Sequence, residues 1–389
     1  MEYQQGINNN ELKRKNRGLV LQLICCGRIL SRVDVAKKSG LTKMTVTNIV
    51  NQFIQDHYLV ERKAIATSAA GRNPIRLDIA PTAPKVVGVY ISRNALTVIV
   101  TDLKLRKLYA DRLPLKEETR FTLTVKLFRL LDRAVKQYKS HRILGIGIAA
   151  IGPLDCANGI LLNPNHFFGI TNYPVAELLN RHYRIPVILN NDTNAAALAE
   201  KMFGEVRNLQ NFIYLGLDNG VGAGIISNGQ LYQNRSGLAG EIGHISVDYK
   251  GERCSCGSRG CLETLVNIPV ILKNMEALLK RPVTADLIPL FGDEEPCFPY
   301  FKKILHILSA ALTGVVNLLD PECIVIGHQG VYFPDEFLEM MEEEINRHIL
   351  AKGYTHVRVV KSSFETDAPL YGSVCCVLNQ VFCGELPLI

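Results

Sequence analysis

The chain of 389 residues has no apolar run approaching the roughly 18 residues needed to span a bilayer. It also shows no signal-peptide pattern. The stretch "KRKNRGLVLQLICCG" has a basic start and a short apolar run, but Gln22 interrupts that run and Arg28 and Arg32 follow. No small-x-small cleavage site appears after it. A secreted disulfide framework is equally ill supported. The eleven cysteines are odd in number, and the pairs Cys25–Cys26 and Cys375–Cys376 sit in apolar helical patterns. Together these absences predict a soluble cytoplasmic protein with reduced thiols. With 47% hydrophobic and 21% charged residues, the composition also lacks the signature of disorder.

What is present is unevenly placed. Residues 1–80 carry 13 Lys or Arg against 6 Asp or Glu, which is the whole net charge of +7, while residues 81–389 carry 31 of each sign. A basic module joined to a neutral body suits binding to a polyanion. Within the module, Asn10 to Cys26 has helical apolar spacing, with Gly27 expected to end the helix in the left-handed conformation. "SRVDVAKKSGLTKMTVTNIVNQFIQDHYLV" then reads as two helices around a tight turn at Gly40, capped by Ser31 and Thr42. The inward residues are Val35 and Ala36, then Val46, Ile49 or Val50, and Phe53. The opposite face offers Thr42, Lys43, Thr45, Thr47 and Asn48, short polar or cationic groups able to reach base edges and phosphates in a major groove. Two β-like runs around "TSAAGRNP" complete a winged helix-turn-helix, with Arg72 at the tip of the wing, where it could enter a minor groove.

From Lys85 the pattern becomes α/β. "VVGVYI", "ALTVIVTDL" and "KLYADRLPL" read as a strand meander, followed by a helix near 120–140 and an apolar strand, "ILGIGIAAIGPLD". "PVILNNDTNAAALAEKMFG" is a strand, a polar turn and an alanine-rich helix. "FIYLGLDNGVGAGIISNGQLY" is a glycine-rich hairpin, and "ECIVIGHQG" a short strand ending in a turn. Strands feeding helices twice over suggest two related lobes with a cleft between them. The expected divisions are 1–80 for the DNA-binding module, 81–195 with a returning helix 372–389 for the first lobe, and 196–371 for the second. In the polar turn, Asp192 could bind hydroxyls or accept a proton. It could equally be a cap for the helix that follows.

His244, Cys254, Cys256 and Cys261 form H-x9-C-x-C-x4-C. Three thiolates and one imidazole make a closed tetrahedral shell suited to structural zinc, and Gly257 and Gly260 let the loop curl around it.

"GLAGEIGHISVD" followed by "CSCGSRGCLE" resembles the signature of the ROK family, which joins sugar kinases to sugar-responsive repressors, and "GRNPIRL" resembles its repressor branch. The resemblance implies an actin-like, ribonuclease H-like two-lobed body. It also implies sugar contacts at Asn165, Asn191, Asp192, Glu241 and His244, with Asp192 in the place of the kinases' base. His244 would turn one nitrogen to zinc and the other to the sugar. Ser255 stands where a glutamate touches the anomeric end in the glucokinases, which implies a ligand other than glucose.

The departures fall in the nucleotide half. "GVYISRNAL" replaces a glycine-rich phosphate loop, and "LDNGVGAG" puts Asp218 and Asn219 in a second one. "IGHQG" adds bulk at His328 and Gln329 beside the adenosine. A base at Asp192 without a phosphate donor cannot transfer a phosphoryl group. The expectation is a repressor of carbohydrate-utilisation genes, not an enzyme, with Asp192 vestigial. It would be a homodimer or homotetramer released from operator DNA by a sugar or sugar phosphate. The alternative is an ATP-dependent sugar kinase with a fused DNA-binding domain.

Overall fold

The structure, a computed structural model, describes residues 8–27, 31–63, 75–138, 141–233, 238–291 and 296–388. It resolves into two compact units, one of Met1–Asn190 with Ser373–Ile389, the other of Asn191–Gly372.

The first unit begins with three helices, α1 (Asn9–Cys25), α2 (Arg32–Ser39) and α3 (Lys43–Gln55), and an antiparallel ribbon of β1 (Leu59–Lys63) and β2 (Ile75–Ile79). Local chemistry sets these boundaries. Ser31 caps α2 by accepting from the Asp34 amide, Thr42 caps α3 by accepting from the Thr45 amide, and Gly40 turns the chain at φ +70°. At the end of α1 the expectation fails. Cys26 closes the helix at φ −97°, and Gly27 does not take a left-handed conformation. Val20, Leu21, Ile24, Val35, Val46, Val50 and Phe53 are buried, so of the two alternatives Val50, not Ile49, faces fully inward.

The same unit continues with strands β3 (Lys85–Ile91), β4 (Ala95–Thr101), β5 (Lys107–Pro114), β6 (Ile143–Ala150) and, later in the chain, β9 (Val187–Asn191). They form a five-stranded sheet in the order β5-β4-β3-β6-β9. β3, β4 and β5 make the antiparallel meander, and β6 joins β3 in parallel. β3 is almost wholly buried, while edge strand β5 alternates between faces, as a half-solvated strand must. Helix α4 (Arg120–Gln137) lays Leu123, Leu127, Leu130, Leu131 and Ala134 on this sheet. A small ribbon, β7 (Leu154–Asp155) with β8 (Ile160–Leu161), and helix α5 (Val175–Tyr183) complete it. The three-helix segment is tied to this sheet. Arg142 donates to the Asp56 carbonyl at 2.6 Å and lies over the Tyr58 ring, and Lys104 pairs with Asp78 at 2.6 Å.

The second unit repeats the plan. Its strands are β10 (Phe212–Leu217), β11 (Val221–Ser227), β12 (Gln230–Leu231), β13 (Cys323–His328) and β14 (Arg358–Lys361), in the sheet order β12-β11-β10-β13-β14. Again three strands meander antiparallel and two more add in parallel. This is the duplicated sheet of an actin-like body. The helices are α6 (Asp192–Phe203), α7 (Glu263–Val266), α8 (Ile268–Leu279), α9 (Ile288–Phe291), α10 (Phe298–Leu319) and α11 (Asp335–His348), and α12 (Ala368–Phe382) leads back into the first unit. Contrary to the sequence expectation, α10 has the length and apolar content to cross a membrane. Its Phe301, Ile304, Leu305, Leu308 and Leu312 are buried in the core of the second unit, which is the pattern of a core helix.

Candidate functional site

The polar turn after β9 settles one open question. Asn191, not Asp192, is the N-cap of α6. Its Oδ1 accepts from the Thr193 amide at 2.9 Å and the Asn194 amide at 3.4 Å, and from the Thr193 hydroxyl at 2.6 Å. Asp192 is the first helical residue, with Oδ1 on the Thr193 amide and Oδ2 turned toward His328 Nε2 at 3.7 Å.

His328 ends β13 at φ +53°, a left-handed conformation that costs a non-glycine residue on the order of 1 kcal/mol or more. It is 5% exposed, yet its Nε2 has no hydrogen-bond partner among the described residues. Tyr214, from β10, holds the other side. Its hydroxyl lies 3.1 Å from His328 Nδ1 and accepts from the His328 amide at 3.1 Å. The ring fits because residue 216 is glycine, where a Cβ would lie 2.9 Å from the imidazole.

The loop Asp218–Gly220 is closed by the protein's own groups. Gln329 donates to Asp218, and Glu263 accepts from the Val221 amide at 3.1 Å. Burial raises the Asp218 carboxyl and Asp192 pushes the same way, while His328 and Gln329 oppose them. In the first unit, Ser92 bonds both the amide and the carbonyl of Ala95, closing the turn of "ISRNAL" on itself. Both stretches that the resemblance assigns to phosphates thus have side chains bonded to them or within them.

Glu241 and His244 flank a short 3-10 turn, Ile242–His244. Glu241 reaches solvent, yet crowding by protein raises its carboxyl. His244 pulls it back, and Glu263 and Asp192 push it further up. Asp192 and Glu263 thus both act on Glu241. Asn165 lies exposed in the first unit, in the turn between β8 and α5, and Ser255 is exposed in the cysteine loop.

The four soft ligands converge, with their donor atoms within 4.8 Å of one another. Cys254 Sγ lies 3.6 Å from His244 Nδ1, and Cys256 Sγ lies 3.6 Å from Cys261 Sγ. A tetrahedral ion with bonds of about 2.3 Å to sulfur and 2.0 Å to nitrogen would separate its ligands by about 3.5–3.8 Å. The geometry fits a metal ion. Burial and the neighbouring sulfurs hold the Cys261 thiol up at about 12, because thiolates this close ionise together only beside a cation. Gly257 and Gly260 both adopt positive φ, and at Gly260 the Asp248 carbonyl leaves no room for a Cβ.

On the three-helix segment, Thr42, Lys43 and Asn48 are exposed, while Thr45 and Thr47 are half-buried. Thr42 and Thr45 hydroxyls bond each other at 2.9 Å within the cap. Arg32 bridges α3 to β1, donating to Glu61 at 2.8 and 3.0 Å and to the Thr47 carbonyl. Arg72 lies outside the described residues. Sequence reasoning missed Arg32, Tyr214 and Glu263. Each acts through a partner in another element, a pairing that local pattern does not signal.

Residues 86–380 match the model of the ROK family. A xylose repressor from Caldicellulosiruptor bescii is 28% identical over 96% of this chain and 98% of its own length. A solved ROK family transcriptional regulator, described as a homologue of the Escherichia coli Mlc protein, superposes with a TM-score of 0.82 at 26% identity, covering 97% of this chain and 98% of that one. A ROK hexokinase from Thermus thermophilus superposes with a TM-score of 0.64 at 27% identity, over 75% of this chain and 97% of its own.

Proposed function

The chain belongs to the ROK family, and from that premise we propose that it is a sugar-responsive, DNA-binding transcriptional repressor with no kinase activity. One observation carries the reading. Asp192, Glu241 and His244 are retained, while Asp218 and the Val221 amide are already bonded by Gln329 and Glu263. A nucleotide phosphate needs free backbone amides and no adjacent carboxylate. The similarity of a repressor over nearly the whole chain, and of a kinase over only three quarters of it, supports the same division.

The segment 1–80 acts as a winged helix-turn-helix, with Lys43, Thr47 and Asn48 on the major groove and Arg72 at the wing. A homodimer, or a pair of dimers, places two recognition helices about 34 Å apart on a pseudo-palindromic operator. Zinc is held by His244, Cys254, Cys256 and Cys261 and has a structural role. It fixes the imidazole through Nδ1, leaving Nε2 for the sugar. Sugar contacts come from Asn165, Asn191, Asp192, Glu241, His244 and Ser255, in a cytoplasmic protein. The sugar can loosen DNA binding only by the difference between its affinities for the free and the DNA-bound protein.

The test is a thermal-shift screen of sugars with and without Mg-ATP, followed by DNA binding with the sugar that stabilises. Stabilisation by a sugar alone, with release of DNA, is the expected result. Sugar-dependent ATP turnover lost in Asp192→Asn would establish the kinase instead. DNA affinity should fall steeply with salt, and Lys43→Ala should reduce the log–log slope by about 1 without changing sugar affinity.

A further inference from the structure

We infer that His328 is a specificity-determining residue. With Asp192 it forms a donor–acceptor clamp for a single hydroxyl oxygen, so the site takes a sugar whose hydroxyl there is free and refuses one phosphorylated at that oxygen. The inference rests on the sugar-binding reading above and narrows its ligand.

The imidazole is almost wholly buried, at 5% exposure, and Nε2 alone of its polar atoms lacks a partner. Buried polar groups in folded proteins are almost always bonded, so an unmet one marks a place for something else. The nearest charged atom is Asp192 Oδ2 at 3.7 Å, too far for a good direct hydrogen bond. Two atoms at that separation can both lie about 2.8 Å from one third atom.

The chemistry of that third atom follows from its neighbours. A lone pair on Nε2 facing a carboxylate would be repelled, so Asp192 selects the tautomer with hydrogen on Nε2. The Tyr214 hydroxyl already accepts from the His328 amide, so with hydrogen on Nε2 its own hydrogen is left for Nδ1, 3.1 Å away. The clamp therefore presents one donor and one acceptor to one oxygen. A hydroxyl satisfies both. A phosphate ester oxygen has no hydrogen for Asp192, and its charged oxygens would meet a field of acids. Asp192 raises both the Asp218 and the Glu241 carboxyls, and Glu263 raises that of Glu241, while His328 and His244 oppose them. The strained backbone at His328 and the Tyr214 contact hold the donor in one direction.

The experiment is calorimetric titration of the full-length protein with D-xylose, D-glucose and N-acetyl-D-glucosamine, their monodeoxy analogues and their monophosphates. The expected result is that one free sugar binds and one deoxy analogue marks the clamped hydroxyl. The phosphate ester at that same position should bind at least about 100-fold more weakly. His328→Ala should weaken the parent sugar by about 10- to 100-fold and leave the marked deoxy analogue unchanged, while His328→Gln, which keeps an N–H donor, should recover most of the loss. Parent-sugar affinity within twofold in His328→Ala would overturn the clamp. A phosphate ester at the marked position binding as well as the free sugar would also overturn it, while leaving the regulator reading intact. Binding of none of these compounds would remove the sugar-site reading and this inference together. Should His328→Ala fail to fold, the deoxy and phosphate series on the unaltered protein still decides the matter.

Discussion

Two loops of the second unit, Asp218–Gly220 and Arg253–Cys261, both bear glycine and both carry potential ligands, yet they are finished in opposite ways. In the first, the carboxylate and the free amide find partners within the protein, Gln329 and Glu263. In the second, three sulfurs and an imidazole face one another at about the spacing a tetrahedral ion imposes, with a 3.6 Å contact from Cys261 Sγ to the His244 carbonyl and a 4.0 Å contact between the Ser255 hydroxyl and Cys254 beside them. The first loop has been closed by its own chain. The second brings together four donors that could hold a metal ion. One loop spends its polar groups on its own chain, and the other leaves its donors converging.

Metal removal tests the contrast most severely. Chelation, or Cys256→Ala, should lower the melting temperature by about 10 °C, since structural zinc contributes directly to folding free energy. Elemental analysis should show one equivalent per chain. A metal-free protein with unchanged melting would place both loops in the same class. The glycines sharpen the point. At Gly260 (φ +59°) a Cβ would lie 1.7 Å from the Asp248 carbonyl, whereas at Gly257 (φ +96°) nothing lies within 4 Å. Gly260→Ala should cost about 2–4 kcal/mol and reduce metal affinity, and Gly257→Ala only about 1 kcal/mol, from backbone strain alone. Denaturant melts of both variants, metal-loaded, check the order. Equal losses would mean that the backbone at the metal loop relaxes freely.

The same contrast explains what could be read from sequence. Ser31 and Thr42 punctuate helices through bonds to residues three positions away, and Gly40 through its own left-handed φ, so their roles are visible in a short window. The meander from Lys85 is similarly legible, because each strand pairs with its neighbour in the chain. The cysteine spacing announced its own convergence. Asp192 was ambiguous between cap and ligand because Asn191 and Asp192 are both good caps, and only the placed side chains show that Asn191 is the cap while Asp192 shares just the Thr193 amide. Gly27 misled because a helix can end on any residue whose carbonyls find partners. The closure of the Asp218 loop was least visible. Asp218 and Gln329 are 111 positions apart and meet only once β10 and β13 lie side by side, and Val221 and Glu263 are 42 apart, on β11 and α7.

The smallest expected effect concerns the closed loop itself. Burial holds the Asp218 carboxyl above its ordinary range, so in the folded protein it gives up its proton less readily than in the unfolded chain. Folding therefore favours the protonated form. The sign follows: this group's contribution is fully present below the ordinary aspartate range and is lost as pH rises through the raised folded value. At neutral pH the ionised Asp218 is a liability that Gln329 offsets only in part. Asp218→Asn keeps an oxygen to accept from Gln329 and removes the charge. It should stabilise the protein at pH 7, the sign that proton linkage gives a raised carboxyl. The gain should shrink toward pH 4, where the parent's own carboxyl is increasingly protonated. Melting curves of the two proteins across that range give the answer. A substitution that destabilises at pH 7 would mean the carboxylate is wanted in its charged form, as it would be beside a bound cation, and the loop would then belong with the metal loop rather than opposite it.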